Sequence, residues 1–171
     1  MANWFECKVK FDKMMETGVP KTVNEPYLVD ALSFTEAESR IIEAMTPYIS
    51  GEFTVSAVKR TNISEIFWDE TGDYWYMVKT MFITIDERSG VEKKKASYIL
   101  VQAGSFKDAL DNFMAGMKDT LSDFEIASIV KTPLVDVFKA DLAHTRADRE
   151  AAKKELEAKE NAAQKAELEG A

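Results

Sequence analysis

The sequence is poor in the residues that support disulfide, zinc and histidine chemistry. Its 171 residues include one cysteine, Cys7, and one histidine, His144. A single cysteine cannot form an internal disulfide, which fits a reducing cytoplasm. Because the only histidine lies in a polar C-terminal segment, the composition disfavours His-based catalytic triads and His/Cys zinc sites.

Other features are missing as well. No apolar run approaches the ~18–20 residues that span a bilayer, and the first residues lack the basic-then-apolar order of a signal peptide. The sequence holds no Gly-x-x-x-x-Gly-Lys phosphate loop. Thirty acidic and 22 basic residues give a net charge of −8, so the chain is not a generally basic nucleic-acid coat. These absences predict no membrane contact, no cofactor and no metal.

What is present is an internal similarity. Shifting the chain by 71 positions places Trp4 on Trp75 and Lys8 on Lys79, and it also places Tyr27 on Tyr98. One inserted residue then gives an offset of 72 up to about Gly51, after which 71 is restored. We therefore predict a duplicated domain over residues 1–139, with repeat one at 3–69 and repeat two at 74–138.

Each predicted repeat has the order β-β-α-β-(β). Its first strand is rich in aromatic and β-branched residues, and polar segments ending in Gly18 and Gly90 predict hairpins. Ser33 and Ser105, each with an acid three residues later, predict helix N-caps. Two such units can share one antiparallel sheet, with both helices on one face. The expected fold class is α+β.

The last part of the chain, residues 140–171, differs in composition. It contains ten alanines, eight acids, six bases and no aromatic residue. Pairs such as Glu155 and Lys159 suit an exposed helix. We predict a charged tail that is helical or disordered, and a tail that binds a partner is the alternative.

The repeat indicates a candidate binding surface. Trp4 and Lys8, and equally Trp75 and Lys79, are predicted to point away from the helices. Single-stranded nucleic acids bind such faces when bases stack on aromatic rings and lysines meet phosphates. The predicted binding residues are Trp4, Lys8, Lys10, Lys59, Trp75 and Lys79. Alternatively, the two tryptophans cover a second small core or a dimer interface.

Catalytic and metal sites have weaker support. The acids Asp69, Glu70, Asp73, Asp86 and Glu87 could hold a divalent ion, but acids next to glycine more often form turns. Cys7 is predicted to point inward, as a core thiol rather than a reactive one. We expect no enzyme; a metal-dependent nuclease using Asp69, Asp73 or Asp86 is the enzymatic alternative.

Several segments resemble a known family of unknown function. They are NWFECKV at 3–9, EPYLVDA at 25–31, SFTEAE at 33–38, ISGEF at 49–53, EKK at 92–94 and DVF at 136–138. The chain resembles, over about residues 3–138, a domain-of-unknown-function family of small proteins from Bacteroides-type gut bacteria, their phages and mobile elements. The resemblance implies a bacterial or phage-infected cytoplasm, and it supplies no catalytic residues.

Two functional hypotheses follow. The first is a non-enzymatic protein of phage or mobile-element DNA metabolism that binds single-stranded DNA or RNA through the aromatic and basic sheet face. The second is a protein-interaction module, such as a host-factor inhibitor or an assembly component, that pairs its sheet face with a partner or with a second copy.

Overall fold

The computed structural model describes residues 3–139 and 146–170. The described chain is mixed α+β, as the sequence predicts, and one order of elements, β-β-α-β-β, occurs twice before the last helix. The elements are β1 (Trp4–Met14), β2 (Pro20–Asp30), α1 (Phe34–Met45), β3 (Phe53–Arg60), β4 (Ile63–Phe67), β5 (Tyr74–Ile85), β6 (Glu92–Ala103), α2 (Phe106–Gly116), β7 (Asp123–Lys131), β8 (Asp136–Phe138) and α3 (Arg146–Glu169).

The predicted hairpins and helix starts are confirmed. The hairpin turns contain Gly18 and Gly90 at φ +80° and +68°, a backbone region that favours glycine. The Ser33 hydroxyl accepts a hydrogen bond from the backbone N–H of Glu36 at 3.1 Å. Ser105 accepts the equivalent bond from Asp108 at 3.2 Å. Each serine satisfies a backbone donor that the first turn of a helix leaves free.

The predicted single antiparallel sheet is wrong, because the strands form two separate sheets. Sheet A has the order β3-β1-β2-β8, and sheet B has the order β4-β6-β5-β7. Three strands of each sheet come from one half of the chain and pair antiparallel. The fourth strand comes from the other half and pairs in parallel, β8 with β2 and β4 with β6. The two halves therefore exchange their last strands.

The chain crosses from one sheet to the other in the short link that follows each third strand. Only Thr61 and Asn62 lie between β3 and β4, and residues 132–135 lie between β7 and β8. Thr61 is held at its crossing by two bonds to the carbonyl oxygen of Trp4. Thr132 makes the same two bonds to Trp75 after β7.

Each helix covers its own sheet, so the expectation that both helices lie on one shared face is also wrong. The α1 side of sheet A is packed around Phe5, Cys7 and Val9 of β1 and Ile41 of the helix. The α2 side of sheet B is packed around Val78, Ile99 and Phe113, among others. The predicted inward orientation of Cys7 is confirmed, since the residue has no exposed surface.

The opposite faces of the two sheets meet in a third cluster, which we call the central cluster. Its buried residues come from both halves of the chain and from both exchanged strands: Trp4, Leu28, Ile63, Ile66, Trp75, Leu100 and Val137. Burying this much apolar surface is the main favourable contribution to holding the sheets together. The layers therefore run helix, sheet, sheet, helix.

The C-terminal segment contains one helix of 24 residues, α3. Its side chains from residue 154 onward are exposed, and the predicted pair of Glu155 and Lys159 is present at 3.4 Å. His144 lies outside the described residues. Within the described ranges, no helix is long and apolar enough to cross a membrane.

Candidate nucleic-acid interface

The predicted orientation of Trp4 and Trp75 is right, but their predicted exposure is wrong. Both rings point away from the helices, and both lie inside the central cluster with 7% and 2% of their surface exposed. A ring that is covered on its faces cannot stack on a nucleobase. The structure therefore gives these tryptophans the alternative role considered from the sequence, that of a second core.

A third tryptophan completes this cluster. The Trp68 ring follows β4, and its centre lies 6.4 Å from that of Trp4 and 5.5 Å from that of Trp75. It is 40% exposed, and the ammonium of Lys139 lies 4.1 Å from its centre. A cation over an indole ring is attracted by the negative face of the ring. Sequence analysis missed Trp68 because the residue 71 positions later is Lys139, which is not aromatic.

The lysines of sheet A lie where the sequence predicts. Lys8 and Lys10 alternate with the buried residues of β1, and both are exposed on the face opposite α1. Lys59 is opposite Glu6 across the β1–β3 ladder, so it shares that face. We call this exposed part of sheet A, beyond the central cluster, its open face.

Sheet B has a corresponding open face of different chemistry. Lys79 lies on it and is partly buried. Where the open face of sheet A has Glu6, Lys10 and Lys59, the positions 71 residues later in sheet B are occupied by Met77, Met81 and Val130. At these positions sheet A is therefore charged and sheet B is apolar, and the charges on the open face of sheet B include Lys79 and the ion pair of Lys94 with Glu125.

The direct cross-strand partner of Lys79 is Tyr98 of β6. The sequence alignment places Tyr98 on Tyr27, but Tyr27 is opposite Cys7 and is buried towards α1. The inserted residue lies in the hairpin instead: five residues connect β1 to β2, and six connect β5 to β6. A shift of one residue moves a side chain to the other face of a sheet. Tyr98 is thus a residue of the open face that the sequence alignment missed.

The four predicted lysines have no ion pair with the side chains that the structure describes. The ion pairs among the described residues involve other lysines, such as Lys13 with Glu25 and Lys94 with Glu125. Lys8, Lys10, Lys59 and Lys79 have no carboxylate partner in residues 3–139 or 154–170. An unpaired surface ammonium is available to an anionic ligand.

An open cleft lies beside the junction of the two sheets. Its volume is about 510 Å³, and its lining comes from β1, the end of β3, the β3–β4 link and β5: Glu6, Lys59, Arg60, Thr61, Asn62 and Met77. The Arg60 guanidinium lies 5.4 Å from the centre of the Phe5 ring, so it is on the α1 side of sheet A, and Lys59 is the basic side chain on the open-face side. The cleft therefore brings Lys59 of sheet A next to the open face of sheet B.

A family described as a domain of unknown function, DUF4494, covers residues 3–140. The chain belongs to this DUF4494 family. Curated proteins give no match to the sequence, and solved structures give none to the fold.

The acids of this DUF4494 chain serve local structure. Asp69 accepts hydrogen bonds from Thr71 and Asn112, and these bonds lower the pKa of its carboxyl group. The Asp86 side chain accepts from the backbone N–H of Arg88 inside the β5–β6 hairpin. In the part of the chain that is described, no three metal-ligating side chains cluster. The predicted preference of these acids for turns is confirmed for Asp69 and Asp86.

The thiol of the DUF4494 chain is shielded from solvent. Burial, together with the nearby charges of Glu6 and Glu38, raises the pKa of Cys7 to about 12. A thiol with such a pKa is protonated at neutral pH and is a poor nucleophile. The open faces of the two sheets thus remain the best candidates for a functional surface.

Proposed function

We propose that this protein binds single-stranded nucleic acid across the open faces of its two sheets, without catalysis. The observation that carries the proposal is a set of four lysines without an ion pair to any side chain that the structure describes: Lys8, Lys10, Lys59 and Lys79. Lysines on a sheet face supply the sequence-independent attraction for phosphates on which most single-strand binding depends.

The shape of the surface supports a strand rather than a small ligand. The open face of sheet A continues past Lys59 into the cleft, which ends against Met77 of sheet B. Lys79 is two residues further along β5 on the same face. A flexible strand can follow this bent, partly apolar path, whereas a rigid duplex hides its bases and needs a broader basic surface.

The proposal also includes an internal duplication of the domain and a cellular role for the protein. We infer that the two halves are copies of one unit, supported by the identical element order and by ladder irregularities at Lys8/Val9 and Lys79/Thr80. A role in phage or mobile-element DNA metabolism, in a bacterial cytoplasm, follows only from the resemblance stated above.

The experiment measures binding of a fluorescently labelled oligothymidine by anisotropy at several salt concentrations. The label must be on the oligonucleotide, because the buried Trp4 and Trp75 are poor reporters of surface binding. The combined variant Lys8→Gln, Lys59→Gln and Lys79→Gln is expected to weaken binding. It should also reduce the slope of log K against log salt by about 0.7 per lysine removed.

The matched control is Lys93→Gln. Lys93 is also exposed on a strand, but it is opposite Thr84 on the α2 side of sheet B and pairs with Asp86, so its substitution should leave the affinity and the salt slope nearly unchanged. Equal affinity of the wild type and the triple variant would contradict the proposal.

A second candidate is the protein-interaction module. It is favoured by the apolar character of the sheet B open face, where Val130 is 57% exposed beside Met77. Val130→Lys should then convert a self-associated form to monomers in size-exclusion chromatography. A wild-type profile at monomer mass would count against self-association through this face.

A further inference from the structure

The sheet B open face contains one accessible aromatic ring. In residues 3–139, the aromatic side chains on the faces opposite the helices are Trp4, Trp75 and Tyr98. The two tryptophans are closed inside the central cluster, whereas Tyr98 is only partly buried. Among these strand residues, Tyr98 is therefore the ring that a base can reach; the exposed Trp68 follows β4, packs against Trp4 and Trp75, and has the Lys139 ammonium over its ring.

The neighbours of Tyr98 suit a nucleobase. On one side Lys79 is directly opposite on β5, and on the other side Ile63 of β4 is paired with it. Ile63 is a buried member of the central cluster, so the strand position paired with Tyr98 is apolar. Lys79 is on the solvent side, where its ammonium can meet the phosphate of a base that is stacked on the ring.

The two residues on either side of Lys79 along this face, Met77 and Met81, are both partly exposed. Methionine is flexible and polarizable, and it packs well against flat rings of varied shape. These two side chains extend the apolar surface around Tyr98 without selecting a particular base.

Sheet A has no aromatic ring at the position equivalent to Tyr98. The residue opposite Lys8, in the same relation as Tyr98 to Lys79, is Pro26. Proline has no π-face, so this half of the molecule has lysines without a stacking ring. Equivalent strand positions in the two sheets therefore carry side chains of different chemistry.

We infer that Tyr98 is the base-stacking residue and that the two sheets divide the ligand between them. The lysines of sheet A hold phosphates, while Tyr98, supported by Met77 and Met81, holds a base. This inference rests on the proposed function, and it defines the ligand class as strands with unpaired, accessible bases.

The test compares two labelled probes of equal length, an oligothymidine and an abasic strand with the same phosphates. Tyr98→Leu keeps an apolar side chain beside Ile63 and removes the π-face. It should lower affinity for oligothymidine by about 5- to 140-fold, the usual effect of losing one stacked base, and leave affinity for the abasic strand unchanged.

Two further variants are controls. Tyr98→Phe keeps the ring and should retain oligothymidine binding. Tyr74→Leu removes a tyrosine that is 44% exposed, on the α2 side of the same sheet, and should have no effect. Thermal unfolding of each variant verifies that it is folded.

The outcomes separate the two claims. Unchanged oligothymidine affinity in Tyr98→Leu, together with a loss in the lysine variant, overturns the role of Tyr98 and leaves the proposed function standing. An equal loss on both probes also overturns stacking, since the abasic strand has no base. A wild-type protein that binds neither probe overturns the proposed function itself.

Discussion

Thr61 and Trp4 are joined by two hydrogen bonds, although 57 residues separate them. The backbone N–H of Thr61 donates to the Trp4 carbonyl oxygen at 2.9 Å, and the Thr61 hydroxyl donates to the same oxygen at 2.8 Å. This contact anchors the chain where it leaves sheet A for sheet B. The equivalent contact joins Thr132 to Trp75.

Removing the hydroxyl at this crossing should destabilise the fold. Thr61→Val keeps the backbone bond and the side-chain volume but loses the hydroxyl bond. We expect the free energy of unfolding to fall by about 0.5–1.5 kcal/mol in urea titrations. Thr54→Val is the control, since Thr54 is exposed on β3, the strand that precedes Thr61, and its effect should stay within about 0.5 kcal/mol. An equal effect of both substitutions would contradict the anchoring role.

A second prediction concerns a buried hydroxyl. Thr80 has no exposed surface, and its Oγ1 has no hydrogen-bond partner among the residues that are described. The position 71 residues earlier is Val9, which is equally buried. Because an unsatisfied buried hydroxyl is unfavourable, Thr80→Val should raise the free energy of unfolding by about 1 kcal/mol.

Val9→Thr is the reverse test. It introduces a hydroxyl into the apolar cluster beneath α1 and should destabilise by about 1–3 kcal/mol. A destabilising Thr80→Val would show that the Thr80 hydroxyl does find a partner in solution.

The third prediction is a pH dependence caused by Cys7. Its folded-state pKa of about 12 lies above the ordinary value of 9.0. Above the ordinary value the unfolded thiol ionises while the folded one stays protonated. Ionisation stabilises the unfolded state, so the free energy of unfolding falls as pH rises. Between about pH 8 and pH 10 the wild type should lose about 1 kcal/mol more than Cys7→Val.

The measurement is urea unfolding of both proteins at the two ends of this range. The pKa of Tyr27 is also raised, first by burial and then by its bond to Glu25, but this contribution is common to both proteins and cancels in the difference. Parallel loss of stability in the two proteins would contradict the role of Cys7.

Local elements of this protein could be predicted closely. The hairpin glycines and the serine caps lie where predicted. These features depend on neighbouring residues, through alternation, turn glycines and capping. The lysines of sheet A could also be assigned to a face, because alternation along a strand fixes direction.

The partly exposed ring of Tyr98 was missed for a specific reason. Its face depends on which residue it pairs with, and a single inserted residue in the hairpin changes that register. Sequence similarity between two tyrosines, at positions 27 and 98, favoured the wrong alignment. The face of the sheet on which a side chain lies is decided by cross-strand pairing, not by residue identity.

The amino-acid sequence by itself determined the strands, the helices, their order and the direction of most side chains, because each of these depends on short-range periodicity and capping. Only the tertiary structure decided that the last strands exchange sheets and that Trp4 and Trp75 are buried between them. Those outcomes depend on which apolar faces meet across distant parts of the chain. Alternation shows which way a side chain points, but the packing of a second sheet determines whether solvent reaches it.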